Sequence, residues 1–515
     1  MQENSSSNSD VQYNTSIKTK FLLMGLLVIL NIVMRIPSIP HEKGYDSFSI
    51  HSLANSVSIF GKAQWWINWQ SVFGLYPYSY ASAVPFTLSG ITQTTGIEME
   101  KTILLYCVTT GLLSVFIAYI FAGRIYKEFT FKYLMTLFFS LASGVMLFTT
   151  WEVSARGLFI VLFPLYMYTL MKDNIHLKKL LLLPLLFIFI FATHHYAYFL
   201  IPPTVMYVVF GKIKTMKLPR FKETHIKYII IGTILVLFLV PFFNRSLISS
   251  GSRYEWIIDA IKTNVRYIGP EVFFLFGGLA YLINKKKDFE EYFILSVSLI
   301  YIPMFYSHNY GPFLLLLPMV ILASIGINNL SNLWISKNKK YLTIYILIII
   351  LIFVSFSTYY NHYRTGGTQS HWYMSADTSS AGIWARNNLP ENCRGLDSGT
   401  MESARFFAVS EGHPIIPTIE PNNLAYGLVD ITNITMVRNS PYSTGYYFEG
   451  PYVVKEGSTY SGKIEWLRLA ATKYNQLKNF EYYIEDKYSN KRISEIVHTG
   501  ASKIFDSERF AIWEI

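Results

Sequence analysis

The chain has 515 residues, of which 51% are hydrophobic, 17% aromatic and only 15% charged. Soluble proteins are about one-quarter charged, so this balance, with its repeated apolar runs of roughly 17–20 residues, excludes a soluble enzyme and indicates a polytopic membrane protein. The net charge of +11 is no nucleic-acid footprint, because most Lys and Arg residues fall in short connections between apolar runs, where they report topology.

Residues 1–19 are polar and read as a disordered tail. The apolar run 20–36 has no small-residue cleavage site after it and reads as a retained anchor. Further spans are expected at 102–122, 131–149, 156–171, 178–193, 195–210, 226–243, 271–284, 291–306, 311–326 and 340–358. That makes about 11 spans and a helical membrane domain over 20–358. Between the first two spans runs a long loop, 37–101. In it Asp46 opens a segment with Phe48, Leu53, Val57 and Phe60 at near-helical spacing, closed by Gly61. The pattern describes an amphipathic helix with Asp46 as N-cap and Gly61 past the C-terminus. Trp65, Trp66 and Trp69 follow, residue types favoured where a helix lies along a membrane surface. The loop is expected to lie on the bilayer and hold a carboxylate there.

Alternate connections are basic: Lys18/Lys20, Arg124/Lys127/Lys132, Lys172/Lys178/Lys179, Lys212 through Lys227, Lys285–Lys287 and Lys337/Lys339/Lys340. The positive-inside rule then puts the N-terminus in the cytoplasm of a multi-pass plasma-membrane protein and the C-terminal region outside. The loop 244–270 is the exception to the alternation. From residue 359 to 515 the apolar runs shorten, and a mixed α/β extracytoplasmic domain is expected. It contains helices at Asp377–Asn388 and Gly462–Gln476, short strands at Arg405–Val409, Pro414–Ile419 and Tyr482–Glu485, and a terminal hairpin turning near Asp506–Glu508. Cys107 falls in a span and Cys393 in this domain, which argues against a disulfide between them. No phosphate loop, G-x-G-x-x-G, C-x-x-C or H-E-x-x-H occurs. The chemistry must come from the membrane domain.

Ionisable groups at the outer span ends are the site candidates, because charge is costly there. Asp46 reads as a general base or metal ligand, or as a plain cap. Glu152 and Arg156, four apart in WEVSARG, either pair with each other or leave Glu152 facing Asp46 across a cavity. Oxygen-only ligation by two carboxylates would suit Mg or Mn. His194 and His195 begin a span and, being adjacent on a helix, would point to different faces. Arg253, Lys262 and Arg266 fall in a second surface helix, where an outer basic cluster suits a lipid-linked phosphate or anionic headgroups. His308 on the next outer turn could complete that site.

This arrangement resembles the GT-C superfamily of polyprenyl-phosphate-sugar-dependent membrane glycosyltransferases, in its archaeal oligosaccharyltransferase-like branch. The resemblance rests on Arg35, the run GYDSFSIHSLANSVSIFG from Gly44 to Gly61, Tyr76-Pro77, Pro85 and Thr95-Gly96. It implies a metal- and acceptor-site role for Asp46, with Glu152 alone at the second acidic motif. The WWDYG motif of that branch is missing; the corresponding stretch reads GLDSG, Gly395–Gly399. Transfer of a single sugar from a dolichyl-phosphate type donor to a glycan, lipid-linked or envelope acceptor is therefore expected. Oligosaccharide transfer to protein and lipid-linked glycan transport are the rivals. Against a transporter, the chain shows no internal repeat.

Overall fold

Each of the eleven apolar runs is helical in the computed structural model. It describes residues 16–63, 81–172, 177–215, 223–243, 253–307, 310–336, 340–364, 373–391, 393–397, 401–416, 425–426, 435–438, 446–449, 481–488 and 500–515. Trp65, Trp66, Trp69, Tyr76-Pro77, His308 and the expected helix at Gly462–Gln476 lie outside the described residues.

The helical body runs α1 (Ile17–Val33), α2 (Tyr45–Phe60), α3 (Ala83–Thr95), α4 (Met99–Ile125), α5 (Phe129–Leu141), α6 (Ser143–Leu147), α7 (Ala155–Met171), α8 (Leu177–Thr193), α9 (Ile201–Thr215), α10 (Glu223–Phe243), α11 (Arg253–Ile268), α12 (Leu275–Asn284), α13 (Phe289–Tyr301), α14 (Gly311–Ser336) and α15 (Lys340–Arg364). By length and apolar composition, Met99–Ile125 and Gly311–Leu333 qualify as membrane-crossing helices. The pair Ile257–Ile268 and Pro270–Asn284, bent by 114°, adds a third if it counts as one crossing. The core is built around α14, buried from Phe313 to Ile327 at most positions, with α12, α5 and α7 against it and α4 packed in turn on α5 and α7. Outward faces are also apolar: Phe21 on α1 is 76% exposed, and Leu185 on α8 and Phe356 on α15 are 62% exposed. Such faces belong in lipid, where apolar exposure has no cost.

The C-terminal domain carries α16 (Ala376–Asn388), capped by Ser375, and α17 (Met401–Val409). Its sheet is ordered β1 (Gly395–Asp397), β4 (Tyr482–Asp486), β6 (Phe510–Glu514), β5 (Ser502–Asp506); β2 (Thr435–Arg438) and β3 (Tyr446–Glu449) pair separately. β1 lies parallel to β4, whereas β6 is antiparallel to both its neighbours. The terminal hairpin and the strand at Tyr482 thus form as expected. The strand expected at Arg405–Val409 does not. Phe406, Phe407 and Val409 suggest a strand when read alone, but the preceding Met-Glu-Ser-Ala-Arg favours a helix that runs through them.

One expectation about α2 is overturned in the same way. It does not lie open on a bilayer: Ser47 through Val57 are all buried. One side packs on α3 and α4 and the other on α17. Leu53 and Val57 join the core of the C-terminal domain with Phe406, Phe407 and Tyr426, while Phe48 packs with Met374, Ala408 and Val409. Its polar positions are used in this contact. Asn55 Nδ2 donates to the Ala408 carbonyl at 2.9 Å, and the Tyr426 hydroxyl to the Ser52 carbonyl at 3.0 Å. A helix rich in Ser can be buried on both sides because its short side chains admit close neighbours.

Candidate active site

Gly44, not Asp46, is the N-cap of α2; Asp46 sits in the first turn, where the helix dipole favours a carboxylate. The reason is steric. Gly44 has φ 90°, and a Cβ there would stand 2.6 Å from Glu152 Oε1, so the chain turns into the helix where only glycine fits. Asp46 faces the connection between α6 and α7. The Ser154 hydroxyl donates to Asp46 Oδ2 at 3.2 Å, and Arg156 Nη1 lies 3.5 Å from the same oxygen. Glu152 and Arg156 therefore do not pair with each other: Arg156 turns to Asp46. Its guanidinium rests near the rings of Phe148 and Phe313, 5.8 and 5.9 Å from their centroids. Asp46 and Arg156 remain 39% and 31% exposed, so a substrate can reach both.

Glu152 is buried behind this pair. Burial, resisted by Lys43 and reinforced by Asp46, pushes its carboxyl up to about 8. Burial likewise lowers the Lys43 ammonium, with Glu152 opposing. Lys43 N–H donates to the Trp151 carbonyl at 3.1 Å. Trp151 holds a left-handed backbone, φ 53°, and its indole N–H donates to the Glu100 carbonyl at 3.1 Å. Such a conformation in a bulky residue persists where its surroundings over-determine it. A second buried network fixes the same turn. Glu42 receives His51 Nδ1 at 2.5 Å and the Ser47 hydroxyl at 3.1 Å, and Ser47 Oγ accepts from Val153 N–H at 3.1 Å. Burial opposes charge on His51 more than any single neighbour does, yet Glu42, Glu100 and Glu411 together carry its pKa above the ordinary histidine value. His41 meets Glu100 at 3.1 Å.

His194 and His195 reach the same place, but not on separate helix faces. His194 is extended and caps a 3-10 turn over His195–Leu200, so the two rings lie together, centroids 4.2 Å apart. Arg156 acts electrostatically on both. Lys262 and Arg266 of α11 make no hydrogen bond or ion pair with this cluster among the described residues. Arg266 is exposed, and Lys262 is exposed with Asp259 3.7 Å away on its own helix. Arg253 begins α11, and its side chain is not among those described. Tyr267, one residue beyond Arg266, feels Arg156 and Glu152, so the C-terminal end of α11 reaches the site.

Sequence reasoning passed over Glu42, Lys43, His41 and Glu100. The signal was present: PHEKGYD places three ionisable groups immediately before the glycine that starts α2. For a divalent cation the donor set is incomplete. Asp46 is held by Arg156 and Ser154, Glu152 sits beside Lys43, and no three His, Cys, Asp or Glu side chains converge among the described residues.

No sequence-family model matches the chain, and comparison with curated proteins by sequence finds no match. Solved structures do match. The Archaeoglobus fulgidus oligosaccharyltransferase, tethered to an acceptor peptide containing the NVT sequon, superposes with a TM-score of 0.57 at 10% identity, over 92% of this chain and 69% of that one. ArnT from Cupriavidus metallidurans, bound to undecaprenyl phosphate, gives 0.56 at 10% identity over 97% and 98%. The chain shares the fold of these two proteins, the fold expected from its resemblance to GT-C enzymes. At this identity the likeness carries the fold alone, so the chemistry is argued from the side chains.

Proposed function

We propose that the protein is a membrane glycosyltransferase moving a sugar from a polyprenyl-phosphate donor to a glycan, lipid-linked or envelope acceptor on the outer face. In this reading the eleven helical runs span the bilayer, the N-terminus is cytoplasmic and the C-terminal domain is outside. The observation that carries it is the accessible Asp46–Arg156 pair, set at the end of a lipid-facing helical body where a bilayer-bound donor could meet a water-borne acceptor.

The chemistry follows from the pair. An acceptor hydroxyl attacks the anomeric carbon as the bond from that carbon to the phosphate oxygen breaks, with inversion. Asp46 takes the hydroxyl proton, and the departing polyprenyl phosphate keeps the bonding electrons. Arg156 meets the phosphate charge, and by turning to it releases Asp46 to act as base. Arg253, Lys262, Arg266 and His308 are the further candidates for the donor phosphate on the sequence reading. No step is routed through a metal.

The test is turnover of purified protein with a panel of polyprenyl-phosphate sugars, wild type against Asp46→Asn. Removing a general base should cost about 10²–10⁴-fold in kcat while the fold and donor affinity persist. Equal turnover in both proteins would refute the role of Asp46.

A further inference from the structure

Beside the Asp46–Arg156 pair, the turn from His194 and the start of α14 build an aromatic corner that the transfer chemistry leaves unused. His195 and Tyr310 are exposed, their ring centroids 6.3 Å apart and their planes at 82°. Tyr196 is buried behind them, 5.0 Å from Tyr310 and edge-on to it. Its hydroxyl meets no partner at full hydrogen-bond geometry among the described residues; Arg156 is the side chain placed to bond it, and Asp46 acts on it electrostatically. The His194 ring lies 3.9 Å from that of Tyr196, and its Nδ1 accepts the Tyr196 backbone N–H at 3.1 Å. In the neutral ring this places the proton on Nε2, which can donate.

We propose that this corner is the subsite for the pyranose ring of the lipid-linked donor, with Tyr310 and His195 as its walls and Tyr196 and His194 as its hydroxyl readers. The proposal rests on the glycosyl-transfer reading above and deepens it. A pyranose presents an apolar C–H face and a rim of hydroxyls. An exposed aromatic ring suits the first, and a buried hydroxyl that only Arg156 approaches, short of full hydrogen-bond geometry, suits the second, since a sugar hydroxyl would complete its bonding. The place is also right. A sugar held here puts its anomeric phosphate toward Arg156 and its acceptor side toward Asp46. An interfacial aromatic belt alone would not account for a buried hydroxyl turned toward Arg156 and Asp46.

The experiment uses the full chain in nanodiscs with two probes: undecaprenyl phosphate carrying no sugar, and polyprenyl-phosphate-linked mannose or glucose. Tyr310→Ala and His195→Ala should each weaken the sugar-bearing lipid by about three- to tenfold, the size of one aromatic stacking contact, and leave the bare lipid unchanged. Tyr310→Phe keeps the ring and should behave as wild type. Tyr198→Ala is the control: that exposed ring on the same turn packs on Phe191 and should alter neither probe. Equal weakening of both lipids in Tyr310→Ala, or of neither, overturns the subsite while turnover by the wild type leaves the transferase reading standing. A wild type that binds both lipids equally and turns over neither sugar refutes that reading and the subsite with it.

Discussion

Replacing Gly44 by alanine tests whether α2 begins where it does because Glu152 stands against its cap. The residue sits at φ 90°, ψ 136°, outside the regions open to side-chain-bearing residues, which costs about 1–3 kcal/mol. The added methyl would stand 2.5 Å from Glu152 Cγ and 2.6 Å from Oε1; crowding of this kind in a packed interior costs about 1–3 kcal/mol more. The loss of stability should thus be about 2–6 kcal/mol, summing the two. Gly61, at the other end of the same helix, supplies the comparison. It also has a positive φ, 65°, but a Cβ there meets nothing within 4 Å. Gly61→Ala should therefore carry only the backbone cost, about 1–2 kcal/mol. The assay is unfolding of both variants in one detergent, with turnover measured alongside. Gly44→Ala should melt below Gly61→Ala and also lose turnover, because the start of α2 carries Asp46 away from Ser154 and Arg156. If the two variants melt together, Glu152 does not shape the cap and the account of the site is wrong.

Two other perturbations probe the surroundings. Arg35 is fully buried and donates to Thr149 Oγ1 at 3.1 Å, to the Asn31 carbonyl and side chain at 3.0 and 2.7 Å, and to the Ser140 carbonyl at 3.1 Å. Arg35→Lys replaces a four-armed fork by one nitrogen and should cost about 3–5 kcal/mol, read as lost yield of folded protein; normal yield and melting would show the fork dispensable. For Glu152, the folded state holds a proton that the unfolded chain releases, because burial raises the carboxyl to about 8 from the ordinary 4.5. Stability from this group is complete below pH 4.5 and lost as pH rises toward 8. Glu152→Gln should flatten the fall in melting temperature between pH 5 and 8, and an unchanged slope would refute it.

The helical body was legible because apolar length is a strong signal, and all eleven runs are helices. Asp46, Glu152, Arg156, His194 and His195 were legible as candidates, alongside Arg253, Lys262, Arg266 and His308, because ionisable groups at span ends are costly; the sequence did not say which of them would meet. Their pairing was not legible. Spacing suggested Glu152 with Arg156, but spacing carries no record of Gly44, which admits the Glu152 carboxyl, or of Phe148 and Phe313, which steer Arg156 toward Asp46. The environment of α2 was hidden for a related reason. An amphipathic pattern says that one face is apolar; it cannot say that this face, with Asn55 beside it, will be covered not by lipid but by a domain some 350 residues later in the chain, the separation of Asn55 from Ala408.

That covering changes what the C-terminal domain is for. Asn55 and the Ser52 carbonyl would be satisfied by water if α2 lay open, so their hydrogen bonds to the domain add little net stability. What the contact adds is rigidity. The domain fills one side of α2 through Phe48, Leu53 and Val57, α3 and α4 fill the other, and Arg386 of α16 reaches Glu98, just before α4, at 3.6 Å. Lys43, one residue before the Gly44 cap, bridges to Tyr373 where the chain enters the domain. The carboxylate at the head of α2 is thus carried on a helix packed on both sides. In the reaction proposed above, a base that must meet a hydroxyl within hydrogen-bond reach gains more from that constraint than from any one contact.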